Sequence, residues 1–196
     1  MLKRLVIMTV GKTHSGKSTF AKELEQQLHD SIAIDQDNHA EFVNTYYKTL
    51  RTKQGPNNLK FAITRTIVDY AVNHTDVHLI LCNSNRGRQG RIETLRQFHM
   101  QGFTSILVNF DIPDCILKER IATSQRLKTI FRTASGFEEV LSRQQAETNK
   151  GDVKSPTEDE ADYLFVINDN NEVLSIIRKI IDISQSLRDV DFGPLA

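Results

Sequence analysis

The chain carries near its beginning the stretch Gly11-Lys12-Thr13-His14-Ser15-Gly16-Lys17-Ser18-Thr19. It has the pattern G-x-x-x-x-G-K-[ST], in which glycines shape a loop whose backbone N–H groups can surround an anion. The apolar run Leu5–Val10 precedes it, and Phe20, Leu24 and Leu28 repeat every four residues after it. This order predicts a strand, a phosphate-binding loop and the N-terminus of an amphipathic helix.

The parts of this stretch have distinct physical roles in binding a nucleoside triphosphate. The two glycines permit the backbone conformations of the loop, Lys17 supplies positive charge to the β- and γ-phosphates, and the Ser18 hydroxyl can ligate Mg²⁺. Lys12 and His14 occupy variable positions of the pattern and receive no role of their own. The predicted nucleotide site comprises Gly11, Lys12, Thr13, His14, Ser15, Gly16, Lys17, Ser18 and Thr19. The alternative is a glycine turn without a nucleotide.

Apolar runs of strand length alternate with longer amphipathic segments along the chain. The predicted strands are Leu5–Val10, Ser31–Ile34, Val77–Cys82, Ser105–Phe110 and Tyr163–Ile167. Nearly continuous apolar runs are typical of strands that are covered on both faces, as in a parallel sheet. The alternation therefore predicts an α/β fold, a P-loop NTPase three-layer sandwich with a mainly parallel five-stranded sheet and helices on both faces.

We expect a single domain over residues 1–187 and a loosely ordered tail over residues 188–196. Residues 38–74 are too long for one crossover helix, and Gly55-Pro56-Asn57-Asn58 predicts that they form a helical pair. Residues 121–161 are polar and rich in Arg, Lys, Thr and Ser, which predicts a lid-like region. A solvated surface insertion is the alternative for this last segment.

Composition and charge exclude several classes of protein. Among 196 residues, 25 Lys and Arg balance 25 Asp and Glu, so we expect no extended nucleic-acid binding. Two cysteines are too few for a disulfide framework or a zinc site. The longest apolar runs are too short for a membrane span, and the N-terminus does not have the pattern of a signal peptide. We therefore expect a cytoplasmic protein without a membrane partner, and no pattern indicates its oligomeric state.

Further motifs follow the predicted strands in order. Asp35-Gln36-Asp37 follows the second strand, Leu81–Arg86 spans the end of the third, Asp111-Ile112-Pro113 follows the fourth, and Arg120 lies in the next helix. With the phosphate loop, these motifs resemble small P-loop kinases of the polynucleotide-kinase, zeta-toxin and gluconate-kinase-like group, with an AAA-type ATP-binding domain. The resemblance covers residues 3–181.

This resemblance implies an ATP-dependent kinase that transfers the γ-phosphate to a hydroxyl group. It implies that Asp37 takes the proton of the acceptor hydroxyl, and that Lys17, Arg120 and Arg126 supply positive charge around the phosphates. Ser18 and Asp35 are the predicted Mg²⁺ ligands. The alternative for both aspartates is a helix N-cap, a position that Asp favours.

The third strand departs from the pattern of the family. Cys82 stands where these kinases usually have an Asp, and a buried cysteine cannot replace a carboxylate as a ligand of Mg²⁺. Asp35, Asp111 or water must then take its place. The departure favours an alternative function, a nucleotide-binding regulatory module or an ATPase that phosphorylates no acceptor.

The sequence does not identify the phosphate acceptor, which can be a small molecule or the end of a nucleic acid. Arg86, Arg88 and Arg91 form a basic group after the third strand, of which one residue can bind acceptor or phosphate while the rest form a polar helix face. The candidate acceptor-side residues are His39, Tyr46, Tyr47, Arg51, Lys53, Arg65 and Tyr70. A solvated basic surface is the alternative for this set.

Overall fold

The computed structural model describes residues 3–50, 54–131 and 134–189. Its strands are β1 (Leu5–Gly11), β2 (Ser31–Asp35), β3 (His78–Cys82), β4 (Thr104–Phe110) and β5 (Tyr163–Ile167). Its helices are α1 (Lys17–Gln27), α2 (Gln36–Tyr46), α3 (Asn58–His74), α4 (Arg88–Met100), α5 (Asp114–Ala122), α6 (Phe137–Glu147) and α7 (Val173–Asp189). No helix in these described ranges has the length and apolar character needed to cross a bilayer.

The five strands form one sheet in the order β2-β3-β1-β4-β5. All neighbouring strands are parallel, so the sheet is wholly rather than mainly parallel. In the register of the sheet, Met8 lies opposite Leu81 and Leu107, and Asp35 lies opposite Cys82. Because all strands run the same way, the loops that follow them open at one edge, where ligands bind in such folds.

Helices cover both faces of the sheet because the side chains of β1 alternate between two apolar cores. Leu5 and Ile7 face a core that α1, α5, α6 and α7 complete, whereas Val6 and Met8 face a second core that α3 and α4 complete. All seven residues of β1 are buried. The predicted three-layer α/β fold is confirmed.

The two long segments between predicted strands contain regular structure. The Gly-Pro sequence at residues 55–56 separates α2 from α3, in agreement with the predicted helical pair. Residues 121–161 contain α6, whose Phe137 and Leu141 are buried in the first core. At the other end, α7 continues to Asp189, and residues 190–196 of the predicted tail lie outside the described ranges.

Candidate active site

The phosphate loop joins β1 to α1 through left-handed backbone conformations. The φ angle is 148° at Gly11, 58° at His14 and 102° at Gly16. At Gly11 a Cβ atom would also lie 2.9 Å from the carbonyl oxygen of Phe110, so the strand end admits no side chain there. These turns bend the backbone into a concave loop at the N-terminus of α1, which is the geometry that binds phosphate.

Lys17 lies inside the concavity of this loop. Its ammonium donates to the carbonyl oxygen of Lys12 and, at 3.1 Å, to the hydroxyl of Ser15. Burial lowers the pKa of Lys17 to about 8, because desolvation disfavours the charged form. The loop therefore holds a desolvated positive charge, and an incoming phosphate would compensate it.

Asp35 connects α1 and α2 at the end of β2. Its Oδ2 accepts a hydrogen bond of 2.8 Å from Ser18 Oγ, and its Oδ1 accepts one of 2.9 Å from the Asp37 amide. Asp35 is thus the N-cap of α2 while its second oxygen faces the phosphate loop. The two interpretations of this residue, helix cap and site residue, therefore do not exclude each other.

Cys82 lies beside this pair, with its Sγ 3.6 Å from Ser18 Oγ. Burial raises the pKa of the Cys82 thiol to about 11, so the sulfur stays protonated at neutral pH. Ser18 and Asp35 supply the two oxygen donors at this point, and Mg²⁺ prefers oxygen ligands of which the protein contributes only one or two carboxylates. The donor set therefore fits Mg²⁺ without Cys82. Asp111 lines a separate cavity of about 80 Å³, not this cleft.

Asp37 lies in the first turn of α2 and pairs with Arg126, which follows α5 in the chain. The guanidinium of Arg126 lies 2.8 Å from Asp37 Oδ2 and 5.5 Å from the ring centroid of Phe137. Both side chains of the pair line the same cleft as the phosphate loop. The structure thus brings together two predicted catalytic residues.

Arg120 of α5 contacts the phosphate loop directly. It donates to the carbonyl oxygen of His14 at 3.1 Å and to the side chain of Asn170 at 2.8 Å. Arg120 therefore links the phosphate loop to the turn after β5, and it also lines the cleft.

The phosphate loop also makes contacts that the sequence did not indicate. His14 Nε2 lies 2.9 Å from Ser124 Oγ, and its ring packs edge-on against Phe137 at 4.5 Å between centroids. Burial, together with the charges of Arg126 and Lys17, lowers the pKa of His14 to about 4. Ser124 and Phe137 are more than 100 positions away from His14 in the chain, so no local pattern could have revealed these contacts.

Two further contacts hold the phosphate loop, one with α6 and one with α5. The Thr13 amide donates to Gln144 Oε1 of α6 at 2.7 Å, and the ammonium of Lys12 pairs with Asp114 of α5. The side chain of Lys12 thus points to α5, while its carbonyl oxygen receives Lys17.

The basic group after β3 is mainly structural. Arg91 is completely buried and forms two hydrogen bonds, of 2.8 and 3.0 Å, with the buried carboxylate of Glu160. It also donates to the carbonyl oxygens of Asn85 and Arg86, which holds the loop after β3 in place. That loop contacts the end of β1 through a hydrogen bond from the Asn85 side chain to the carbonyl oxygen of Thr9. Arg88 pairs with Asp159 on the surface. The prediction of a solvent-facing polar helix surface is therefore wrong for Arg91.

The cleft itself has a volume of about 1300 Å³. Its lining includes Lys17, Asp35, Asp37, Arg120 and Arg126. Among the described residues, Arg86 and Arg91 of the basic group after β3 line it, but none of the candidate acceptor-side residues does: His39, Tyr46, Tyr47, Arg65 and Tyr70. The remaining two, Arg51 and Lys53, lie outside the described ranges. Lys60 and Phe61 of α3 line the cleft instead.

Comparisons with known proteins identify the family and the fold. The AAA domain family (AAA_33) matches residues 6–149. A protein of Chloroflexus aurantiacus J-10-fl, assigned as a kinase, is 18% identical, with a TM-score of 0.61 over 95% of this chain and 98% of that one. Chaetomium thermophilum Kti12 in complex with ADP-AlF3 is 15% identical, with a TM-score of 0.59 over 90% and 97% of the two chains. Mycobacterium tuberculosis APS kinase CysC in complex with AMPPNP and APS is 17% identical, with a TM-score of 0.55 over 94% and 99%.

A search of curated protein sequences finds no match. The identities to the solved structures are low, so these similarities establish the fold alone. The family match, in contrast, spans well over half of the chain and includes the phosphate loop, Asp35 and Asp37. The resemblance to small P-loop kinases is confirmed at this level: the chain belongs to the AAA domain family and has the fold of the P-loop kinases.

Proposed function

We propose that the protein is an ATP-dependent phosphotransferase that transfers the γ-phosphate to a hydroxyl group of a second substrate. The observation that carries this proposal is that Asp37 and the phosphate loop line one cleft, in which Arg126 donates a hydrogen bond to Asp37. An acceptor hydroxyl must lose its proton as it attacks phosphorus, and a carboxylate placed near the γ-phosphate can take that proton.

The size of the cleft supports a reaction between two substrates. Its volume of about 1300 Å³ exceeds the roughly 300–1000 Å³ that is usual for the site of one small ligand. The acceptor is a small molecule or a nucleic-acid end.

The residues around the cleft have complementary roles in the proposed reaction. The acceptor oxygen forms a bond to the γ-phosphorus, the bond from that phosphorus to the bridging oxygen of ADP breaks, and the proton passes to Asp37. Lys17, Arg120 and Arg126 stabilise the negative charge on the transferring group. Ser18 and Asp35 would hold Mg²⁺, which would supply positive charge against the phosphates of the nucleotide.

One observation favours a second function, a nucleotide-binding module or an ATPase without an acceptor. Cys82 contributes a thiol at the end of β3, so Asp35 is the only carboxylate within hydrogen-bond distance of Ser18 among the described residues. A weakly held metal would leave nucleotide binding intact while transfer is slow. Such a protein would bind ATP, or release phosphate, without forming a phosphorylated product.

Labelled ATP distinguishes these functions. The protein is incubated with γ-labelled ATP, Mg²⁺ and pooled hydroxyl compounds, and the products are separated. We expect a labelled organic product from the wild type and from the control Asp69→Asn, an exposed carboxylate of α3 outside the cleft. We expect none from Asp37→Asn, with ATP affinity preserved. Undiminished transfer by Asp37→Asn would disprove the proposed base, whereas labelled inorganic phosphate alone would indicate an ATPase.

A further inference from the structure

Lys60 and Phe61 lie at the start of α3 and line the cleft together with Asp37. The ammonium of Lys60 lies 4.7 Å from the centroid of the Phe61 ring, and that ring is 45% exposed. Neither side chain touches the phosphate loop through a hydrogen bond or an ion pair in the described parts of the chain. They line a part of the cleft that does not belong to the phosphate loop.

Among the lysine and arginine side chains of the cleft, Lys60 differs in that the described residues offer its ammonium no hydrogen-bond or ion-pair partner. Six others line the cleft, and each has a hydrogen-bond acceptor or a carboxylate: Lys17, Arg86, Arg91, Arg120, Arg126 and Arg143. The described residues place no carboxylate within 4.0 Å of the Lys60 ammonium. Within the described parts of the chain, its ammonium faces the ring of Phe61.

This position is electrostatically unfavourable for an unpaired cation. Lys60 lies in the first turn of α3, near the positive end of the helix dipole, and that turn contains no acidic residue. Its own amide already donates to the Asn57 side chain, at 3.3 Å. Burial lowers the pKa of Lys60, although the charges of Asp37 and Asp35 act in the opposite direction. Those two carboxylates lie beyond 4.0 Å, so a ligand anion in direct contact would compensate the desolvation of this cation more strongly than they do.

We propose that Lys60 and Phe61 form the acceptor subsite, and that the acceptor is a small hydroxyl compound bearing an anionic group, either phosphate or carboxylate. The anion binds the Lys60 ammonium, the carbon skeleton packs on the exposed ring of Phe61, and the hydroxyl group reaches Asp37. This inference rests on the proposed phosphotransferase function and adds the chemical class of its second substrate.

A binding experiment tests the subsite without requiring turnover. The protein is saturated with a non-hydrolysable ATP analogue and Mg²⁺, so that the phosphate loop is occupied, and is then titrated with inorganic phosphate or with acetate. NMR of ¹³C-labelled lysine side chains follows the binding. We expect the Lys60 signal to shift with one or both anions, and the preferred anion then identifies phosphate or carboxylate as the group recognised. A Lys60 signal that responds to neither anion would overturn the proposal.

Variants show whether the charge of Lys60 is responsible for anion binding. Lys60→Gln should weaken anion binding about tenfold or more, since a hydrogen bond to a charged group is lost. Lys60→Arg should largely restore it. Lys22→Gln, the same change at an exposed position of α1 outside the cleft, should have no effect. Equal binding by wild type and Lys60→Gln would overturn the proposal, and the wild-type titration remains decisive if a variant fails to fold.

Kinetics with matched acceptors separate this inference from the proposed function. Each pair consists of a neutral polyol and its phosphate, or of an alcohol and the corresponding hydroxy acid. Lys60→Gln should raise the KM of the anionic member about tenfold or more while kcat and the KM of ATP stay unchanged. Transfer only to neutral acceptors, or only to 5′-hydroxyl oligonucleotides, would refute the subsite but leave the kinase intact. Anion binding at Lys60 without transfer to any acceptor would refute the kinase instead.

Discussion

The guanidinium of Arg126 lies 2.8 Å from Oδ2 of Asp37, across 89 positions of sequence. The amide of Arg126 also donates to Ser124 Oγ at 3.2 Å, and that oxygen lies 2.9 Å from His14 Nε2. A continuous series of contacts therefore runs from the phosphate loop to the carboxylate of α2. Because a γ-phosphate would compete with Asp37 for Arg126, we expect ATP to release this carboxylate for the acceptor.

Arg126→Ala should impair catalysis far more than folding. The pair with Asp37 is partly exposed, at 35% and 42% for the two side chains, so its loss should cost only about 0–1 kcal/mol of stability. Removal of a charge that stabilises the transferring group should lower kcat about 100-fold or more. Thermal unfolding and transfer assays measure the two effects, with Arg65→Ala as the control. An undiminished kcat would exclude Arg126 from the reaction.

The stability of the protein should depend on pH through His14. The pKa of its imidazole is about 4 in the folded state, against an ordinary value of 6.5 that applies to the unfolded chain. Between these values the unfolded chain binds the extra proton, so the contribution of His14 to stability is lost as the pH falls from 6.5 to 4. Urea unfolding across this range should show a shallower decline for His14→Gln than for the wild type.

His29→Gln is the matched control for this measurement, because His29 lies on the surface and outside the cleft. The same slope in the wild type and in His14→Gln would show that the phosphate-loop histidine does not carry the pH dependence.

Loss of the buried pair between Arg91 and Glu160 should destabilise the fold severely. Both side chains are fully buried, so Arg91→Ala leaves the Glu160 carboxylate with only the partly exposed Arg88, at 3.4 Å, as a cationic partner. The variant should cost about 3–5 kcal/mol in the free energy of unfolding. The double variant Arg91→Met with Glu160→Leu should lose less, because it removes both charges. Urea unfolding measures each variant. A loss below about 1 kcal/mol for Arg91→Ala would contradict the structural role.

Alanine substitutions at Gly11 and Gly102 distinguish the stability cost of backbone strain from that of a steric conflict. Both have a positive φ, but a Cβ at Gly11 would meet the Phe110 carbonyl oxygen at 2.9 Å, whereas no atom lies within 4 Å at Gly102. Gly102→Ala should therefore cost only the left-handed strain of about 1–2 kcal/mol. Gly11→Ala should cost more and should also abolish ATP binding, as measured by unfolding and by titration with a fluorescent nucleotide. Equal losses of stability in the two variants would show that the end of β1 can accommodate a side chain.

Local patterns were sufficient for much of the fold. The run Tyr163–Ile167 has the bounds of β5, and the other predicted strands differ from the observed ones by one residue at an end. Such runs predict strands because apolar length and alternation are properties of neighbouring residues. The break at residues 55–56 was predictable for the same reason, because glycine and proline interrupt helices wherever they occur.

The acceptor side could not be predicted in the same way. Tyr46 and Tyr47 were candidates because aromatic and basic residues adjoin there, yet they are 73% and 46% exposed and lie outside the cleft. Lys60 and Phe61 were not candidates, because nothing in their local sequence shows which way α3 turns its first residues. The rotation of a helix follows from its packing on the sheet, which depends on residues far away in the chain.

The sequence by itself determined the phosphate loop and the α/β class, since glycine spacing, one lysine and apolar runs act over a few residues. Only the tertiary structure decided that Asp35 meets Ser18, that Arg126 meets Asp37, and that Arg91 is buried against Glu160. The physical reason is that the partners in each contact are far apart in the chain and meet only when the helices and loops pack around the parallel sheet.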